Sequence, residues 1–85
     1  MYSKRFSSII RLTHHAVKRM AERNVSDNLL IDLIESGTVK EKDDSHFWIF
    51  KAYPDRNDNL LCVVVVQESV LVVKTIMHHF VWEND

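Results

Sequence analysis

The chain predicts an α+β domain in which two N-terminal helices pack on one face of a four-stranded antiparallel sheet, in the order ααββββ. Three observations carry this expectation. Apolar residues recur at helical spacing as far as Ser36, and the period changes to two after Gly37. Polar clusters at 42–45, 54–59 and 68–69 divide the second half into four strand-length runs. With 85 residues, 46% of them hydrophobic and 27% charged, and with one glycine and one proline, the chain makes one globular domain without a linker. Its core is expected over residues 9–80.

Residues 1–8 are polar and are expected to fray, although Tyr2 and Phe6 could dock. The first helix begins between Ile9 and Thr13. With Thr13 as N-cap, Ile9 to Leu12 form a lead-in segment. Leu12, Ala16 and Met20 recur every four residues and give this helix a narrow apolar stripe. It ends near Asn24, a residue that tolerates the left-handed conformation closing many helices. Ser26 caps the second helix, with Asp27 in its first turn, where the dipole favours an acid. That helix runs from Asp27 to Ser36. Leu29, Leu30, Leu33 and Ile34 form its apolar face, and Gly37 stands where a C-terminal cap calls for glycine.

Thr38 to Lys42 then reads as a short strand, Lys42 to Ser45 as a turn, and His46 to Tyr53 as a second strand. Phe47 and Ile49 share one face of it, Trp48 and Phe50 the other. Pro54 to Asn59 is a loop. Leu60 to Gln67, with four consecutive valines, reads as a central strand covered on both sides. Val70 to Phe80 is the last strand. A two-residue turn at Glu68-Ser69 would set Thr75 opposite Cys62 and Lys74 opposite Val63. Both helices then cover one face of an antiparallel meander. Cys62 has no intramolecular disulfide partner, and its apolar neighbours make it a core thiol. A reducing, cytoplasmic location suits it. No run approaches the length of a membrane helix, and residues 1–10 lack the apolar core of a signal peptide.

Net charge is −1, which argues against a general nucleic-acid binder. Its distribution is more informative. Residues 1–25 hold six bases against Glu22, whereas residues 26–85 hold five bases against eleven acids. The positive end could draw in an anion, or the two parts could simply attract each other. Arg11, His15, Arg19 and Arg23, spaced by four, would form one row on the first helix. Like charges so arranged cost a few tenths of a kcal/mol per pair, about 0.2–0.5, so a carboxylate, a phosphate or solvent should face them.

Five histidines are present, four of them as the pairs His14-His15 and His78-His79. A zinc site from His15, His46 and one of His78 or His79 is imaginable, but no cysteine or acid stands at ligand spacing, and no metal or cofactor is expected. Metal-free acid–base chemistry suits the set better. Cleaving RNA takes a base for the 2′-hydroxyl, cations on the phosphate and an acid for the leaving oxygen. His15 could be the base, Arg19 and Arg23 the phosphate clamps, and His78 or His79 with Thr75 the remaining groups. Alternation leaves open which of the last two histidines faces the site.

The pattern His15-Ala16-x-x-Arg19-Met20-x-x-Arg23-x-Val25-Ser26, the apolar helix ending at Gly37 and the closing Val72-Val73-Lys74-Thr75 together resemble a small bacterial domain family of unknown function. That family is grouped with the barnase–EndoU–colicin–RelE-like (BECR) ribonuclease toxins. The resemblance covers residues 12–77. It departs from the family at Asn24, where glycine is usual, and at Ile76-Met77-His78, where an aromatic usually follows the threonine. It implies a BECR/RelE-like fold and an active site of His15, Arg19, Arg23 and Thr75. The function expected is a metal-independent endoribonuclease-like toxin acting on RNA, neutralised by a cognate antitoxin or immunity protein. The alternatives are a non-catalytic protein- or anion-binding module using the basic helix, and a purely structural row.

Overall fold

The computed structural model describes residues 1–56 and 60–78, with the side chains at 60 and 78 left undescribed. Eight elements follow one another. They are β1 (Tyr2–Ser3), β2 (Ser8–Leu12), α1 (His14–Glu22), α2 (Asp27–Ser36), β3 (Thr38–Glu41), β4 (His46–Ala52), β5 (Leu60–Gln67) and β6 (Leu71–His78). The sheet is six-stranded and curled, in the order β1-β2-β6-β5-β4-β3. Every neighbouring pair is antiparallel except β2 and β6, which run parallel.

The four-stranded antiparallel expectation is therefore wrong. The segment expected to fray and the lead-in to the first helix are β1 and β2. In β2 the side chains alternate, with Ile9 and Arg11 exposed and Ile10 buried in the core. Ile10, Arg11 and Leu12 pair with Leu71, Val72 and Val73. The hairpin before them is held by one acid. Glu35, near the end of α2, accepts from the backbone N–H of Lys4 at 2.6 Å and of Arg5 at 2.9 Å, and from the Ser3 hydroxyl at 3.3 Å. Arg5 returns the contact by donating to the carbonyls of Ile34 at 3.1 Å and Gly37 at 2.7 Å. These are carbonyls that the last turn of a helix leaves without partners.

Both helices cover the same face of the sheet, as their apolar stripes require. Ala16 and Met20 of α1 and Leu30, Leu33 and Ile34 of α2 are buried against Ile10, Ile49, Leu61, Val63, Val65, Leu71, Val73 and Ile76. Leu29 is only partly buried at the rim of this core. β5 lies between β4 and β6, its two neighbours in the sheet, and Leu61, Cys62 and Val63 on it are fully buried. Burial pushes the Cys62 thiol up to about 12, so it stays protonated and unreactive at neutral pH. No described helix is long and apolar enough to cross a membrane.

Two local expectations also change. The β5–β6 connection is longer than two residues, because Gln67 pairs with Leu71. A bulge then intervenes: Val65 pairs with Val73 but Val64 with Thr75, which leaves Lys74 as the extra residue. Val73 and Ile76, three apart, consequently both reach the core. Gly37 is the C-cap of α2, but its φ of −72° is available to any residue. Space is what demands glycine there. A Cβ would lie 2.6 Å from the Leu33 carbonyl oxygen and 2.8 Å from Ile49 Cγ2.

A surface network ties α2 to β4. Asp32 accepts from Tyr53 Oη at 2.6 Å and from Lys51 Nζ at 2.9 Å, and Lys51 also donates to Ser36 at 2.8 Å. The Tyr53 hydrogen bond, then Lys51, hold the Asp32 carboxyl below its usual range, while burial and the Asp32 contact push the Tyr53 phenol up.

Truncating Leu33 to Ala should cost about 2–5 kcal/mol, and Gly37→Ala about 1–3 kcal/mol through overpacking, both read by denaturant unfolding. The Asp32 contribution has a defined sign. A depressed folded-state pKa stabilises above the unfolded value of about 3.9 and is lost as pH falls through the folded value. Asp32→Asn should therefore lower stability slightly at neutral pH and flatten the acid limb of a stability–pH curve.

Candidate functional site

The basic helix begins at a double contact with β6. Thr13 is the N-cap, and its hydroxyl oxygen accepts from the Ala16 N–H at 3.0 Å. The same hydroxyl donates to the Lys74 carbonyl at 3.0 Å, and the Thr13 backbone N–H donates to the Val73 carbonyl at 3.2 Å. The bulge at Lys74 thus presents its backbone to the start of α1. No acid occupies the first turn of α1, so the positive end of the helix dipole beside His14 and His15 is not offset locally.

Along α1, burial of Ala16 and Met20 turns His15 and Arg19 outward, with His15 exposed and Arg19 half-buried. Arg19 Nε donates to His15 Nε2 at 3.4 Å. Its Nη1 pairs with Glu22 Oε1 at 2.8 Å, with about two-fifths of each side chain in solvent (36% and 43%). A pair this exposed is worth roughly 0–1 kcal/mol, so it is readily exchanged for another anion. The row is thus partly compensated from within the helix, by the acid that sequence reading had placed beside it.

Arg23 has a different task. Its Nη1 donates to the backbone carbonyl of Ile76 on β6. β2 pairs with β6 only as far as Val73. Beyond that point, Thr13 at Lys74 and Arg23 at Ile76 cover carbonyls that would otherwise face outward on an unpaired strand edge. Arg23 is also the C-cap of α1, and Asn24 follows with φ 54° in the left-handed region. The Val25 N–H returns to the Met20 carbonyl at 2.9 Å, the six-residue closure of a Schellman turn. Asn24 therefore does what a glycine would do at this position, with the strain that a side chain adds.

The other residues that the sequence brought forward stand elsewhere in the fold or outside the described residues. Arg11 is on β2, opposite Val72, and is not part of the helical row. Thr75 alternates with the core residue Ile76 and so lies on the sheet face turned away from α1. It is not brought to His15 and Arg19. His78 ends β6, paired through its backbone with Leu61; its side chain and all of His79 lie outside the described residues. His46 is at the other side of the sheet, where it bonds Asp43 at 2.8 Å. Asp43 is held below the usual carboxylate range by the Ser45 N–H and then by His46. Among the described residues, no three histidine, cysteine or acidic side chains gather as a metal would need.

Sequence reading missed Arg56. From the loop after β4 it donates to the carbonyl of Arg23 at 2.6 Å and to that of Asn24 at 3.1 Å. It thereby caps the end of α1 from a distant part of the chain. A loop arginine carries no periodicity, so nothing in the sequence marks it.

What the structure brings together is His15, Arg19 and Glu22 on the outer face of α1, with Arg23 linking its last turn to β6. No curated protein and no solved structure matches the chain significantly. Residues 12–78, from the last residue of β2 to the end of β6, match the model of a family described as a domain of unknown function, DUF4258. The match takes in α1 with its whole basic row, α2 and strands β3 to β6, and the chain belongs to the DUF4258 family.

Proposed function

We propose that this domain acts on RNA in the cytoplasm as a metal-independent, toxin-type endoribonuclease, and that a cognate antitoxin or immunity protein restrains it. The observation that supports this most is the exposed His15 imidazole, hydrogen-bonded at 3.4 Å to the guanidinium of Arg19 on the same helix face. In this reading a scissile phosphate displaces Glu22 from Arg19. The planar guanidinium then binds two phosphate oxygens. His15, one turn closer to the positive end of the helix, takes the 2′-hydroxyl proton as that oxygen bonds to phosphorus, and returns it to the 5′-oxygen as the P–O5′ bond breaks. The excess of positive charge in residues 1–25 draws the polyanion to this end of the domain.

One observation favours a second reading. Arg19 already has a carboxylate partner and Arg23 a carbonyl, and Thr75 lies on the opposite sheet face. That suits a non-catalytic module in which the same helix binds an anionic partner.

The two readings separate on purified protein incubated with total RNA in the presence of chelator. Under the nuclease reading, His15→Ala lowers the cleavage rate by about 100-fold or more, and Arg19→Ala lowers it comparably. Neither variant should lower the melting temperature appreciably, because His15 is exposed and the Arg19–Glu22 pair is worth little. Arg23→Ala should behave differently. It leaves the Ile76 carbonyl uncovered and should cost about 1–3 kcal/mol of stability. Salt-dependent RNA binding that Arg19→Ala weakens, without cleavage by the wild type, would establish the binding module instead. Loss of activity on adding chelator would contradict the metal-free chemistry.

A further inference from the structure

The mixed sheet has outer edges of unequal character. β1 is two residues long and turns away at once. The outward carbonyls of β6 beyond its pairing with β2 are met by Thr13 and Arg23. β3, four residues long, closes the opposite side of the sheet. Its direction of bonding follows from the register. Lys42 donates to the His46 carbonyl at 2.8 Å, and Thr38, Lys40 and Lys42 lie on the same alternation. The N–H and C=O groups of Val39 and Glu41 therefore point out of the sheet. Among the described residues these groups meet no protein partner.

Beside this edge runs a shallow open groove with about 240 Å³ of empty space, lined by Lys40, Glu41, Lys42 and Trp48. Lys40 pairs across the ladder with Trp48, and by alternation Lys42 lies on the same face. We propose that the outer edge of β3 takes up an extended acidic segment of a partner protein as an added strand. The backbone of Val39 and Glu41 offers alternating donors and acceptors at the spacing of a peptide strand. Every second side chain of that strand stands over the groove, with the Trp48 ring as an apolar floor and lysines at the rim. Lysine on an edge strand ordinarily keeps other strands away. Here it selects, because a segment carrying carboxylates at alternate positions turns that repulsion into attraction. RNA would meet the lysines but has no use for the alternating backbone groups. The edge lies across the sheet from α1, so this inference stands or falls independently of the RNA reading.

The test is selection of displayed random decapeptides on the whole chain, followed by amide exchange of the complex by NMR. Enriched peptides should carry acids at alternate positions and should slow exchange at Val39 and Glu41. Glu41→Pro removes an outward donor while leaving the β3–β4 ladder its bonds, and should abolish binding. Lys40→Glu with Lys42→Glu, both at exposed positions, should weaken the selected peptides by at least about tenfold. That charge reversal decides the matter if the proline variant does not fold. Enrichment of no peptide, enrichment of peptides without acids, protection mapping to α1, or unchanged binding by both variants would overturn the proposal. Concentration-dependent protection of Val39 and Glu41 without peptide would overturn it in favour of a second copy of the chain.

Discussion

The parallel pairing of β2 with β6 is the contact on which the arrangement of this domain depends. It joins residues about sixty positions apart and sets Thr13 against the bulge at Lys74. From there α1 can only run along the outer edge of β6, with Ala16 and Met20 turned into the core. The helix then takes over the work of a neighbouring strand: Thr13 at one end and Arg23 at the other satisfy carbonyls on that edge. A second clasp acts on the other helix, where Glu35 collects two N–H groups and a hydroxyl from the first hairpin. Without these two contacts the N-terminal twelve residues would have no reason to order, and α1 would lose its direction across the sheet.

That arrangement shapes the electrostatics of the candidate site. The helix keeps its apolar stripe narrow, so the flanking His15 and Arg19 are left in or near solvent. Glu22 holds Arg19 through a weak, partly exposed pair, a contact that contributes little to stability. Arg23 and Arg56 are committed to backbone carbonyls. They fix the end of the helix, and their charge still contributes to the field around it. His15 and Arg19 are therefore the members of the helical row that are not bound to a backbone carbonyl.

Much of this was legible in the residues, and what was not has physical causes. Both bounds of α2 followed from Ser26 and Gly37, and the buried position of β5 between two neighbours followed from its continuous apolar run. β2 was hidden because its partner β6 is about sixty residues away, and β1, two residues long, because it pairs only with β2. Leu12 also fits the helical spacing of Ala16 and Met20, which drew it into the wrong element. Gly37 was recognised for the wrong reason, since a close approach to Leu33 and Ile49 requires it and not a left-handed φ. The β5–β6 register failed because Glu68-Ser69 gives no turn signature and the bulge at Lys74 has none either. The row His15, Arg19, Arg23 was visible as spacing. The separation of Thr75 from it depends on which sheet face α1 covers, and a strand apolar on both faces does not disclose that.

Amide hydrogen exchange of the whole chain tests the central contact most directly. If β2 is held between β1 and β6, the amides of Ile10 and Thr13, which donate to Met1 and Val73, should exchange as slowly as those of β5, in the same cooperative unit. Exchange of residues 8–13 at unfolded-chain rates, while β4 and β5 remain protected, would contradict the account and return the first helix to a four-stranded domain with a loose N-terminus.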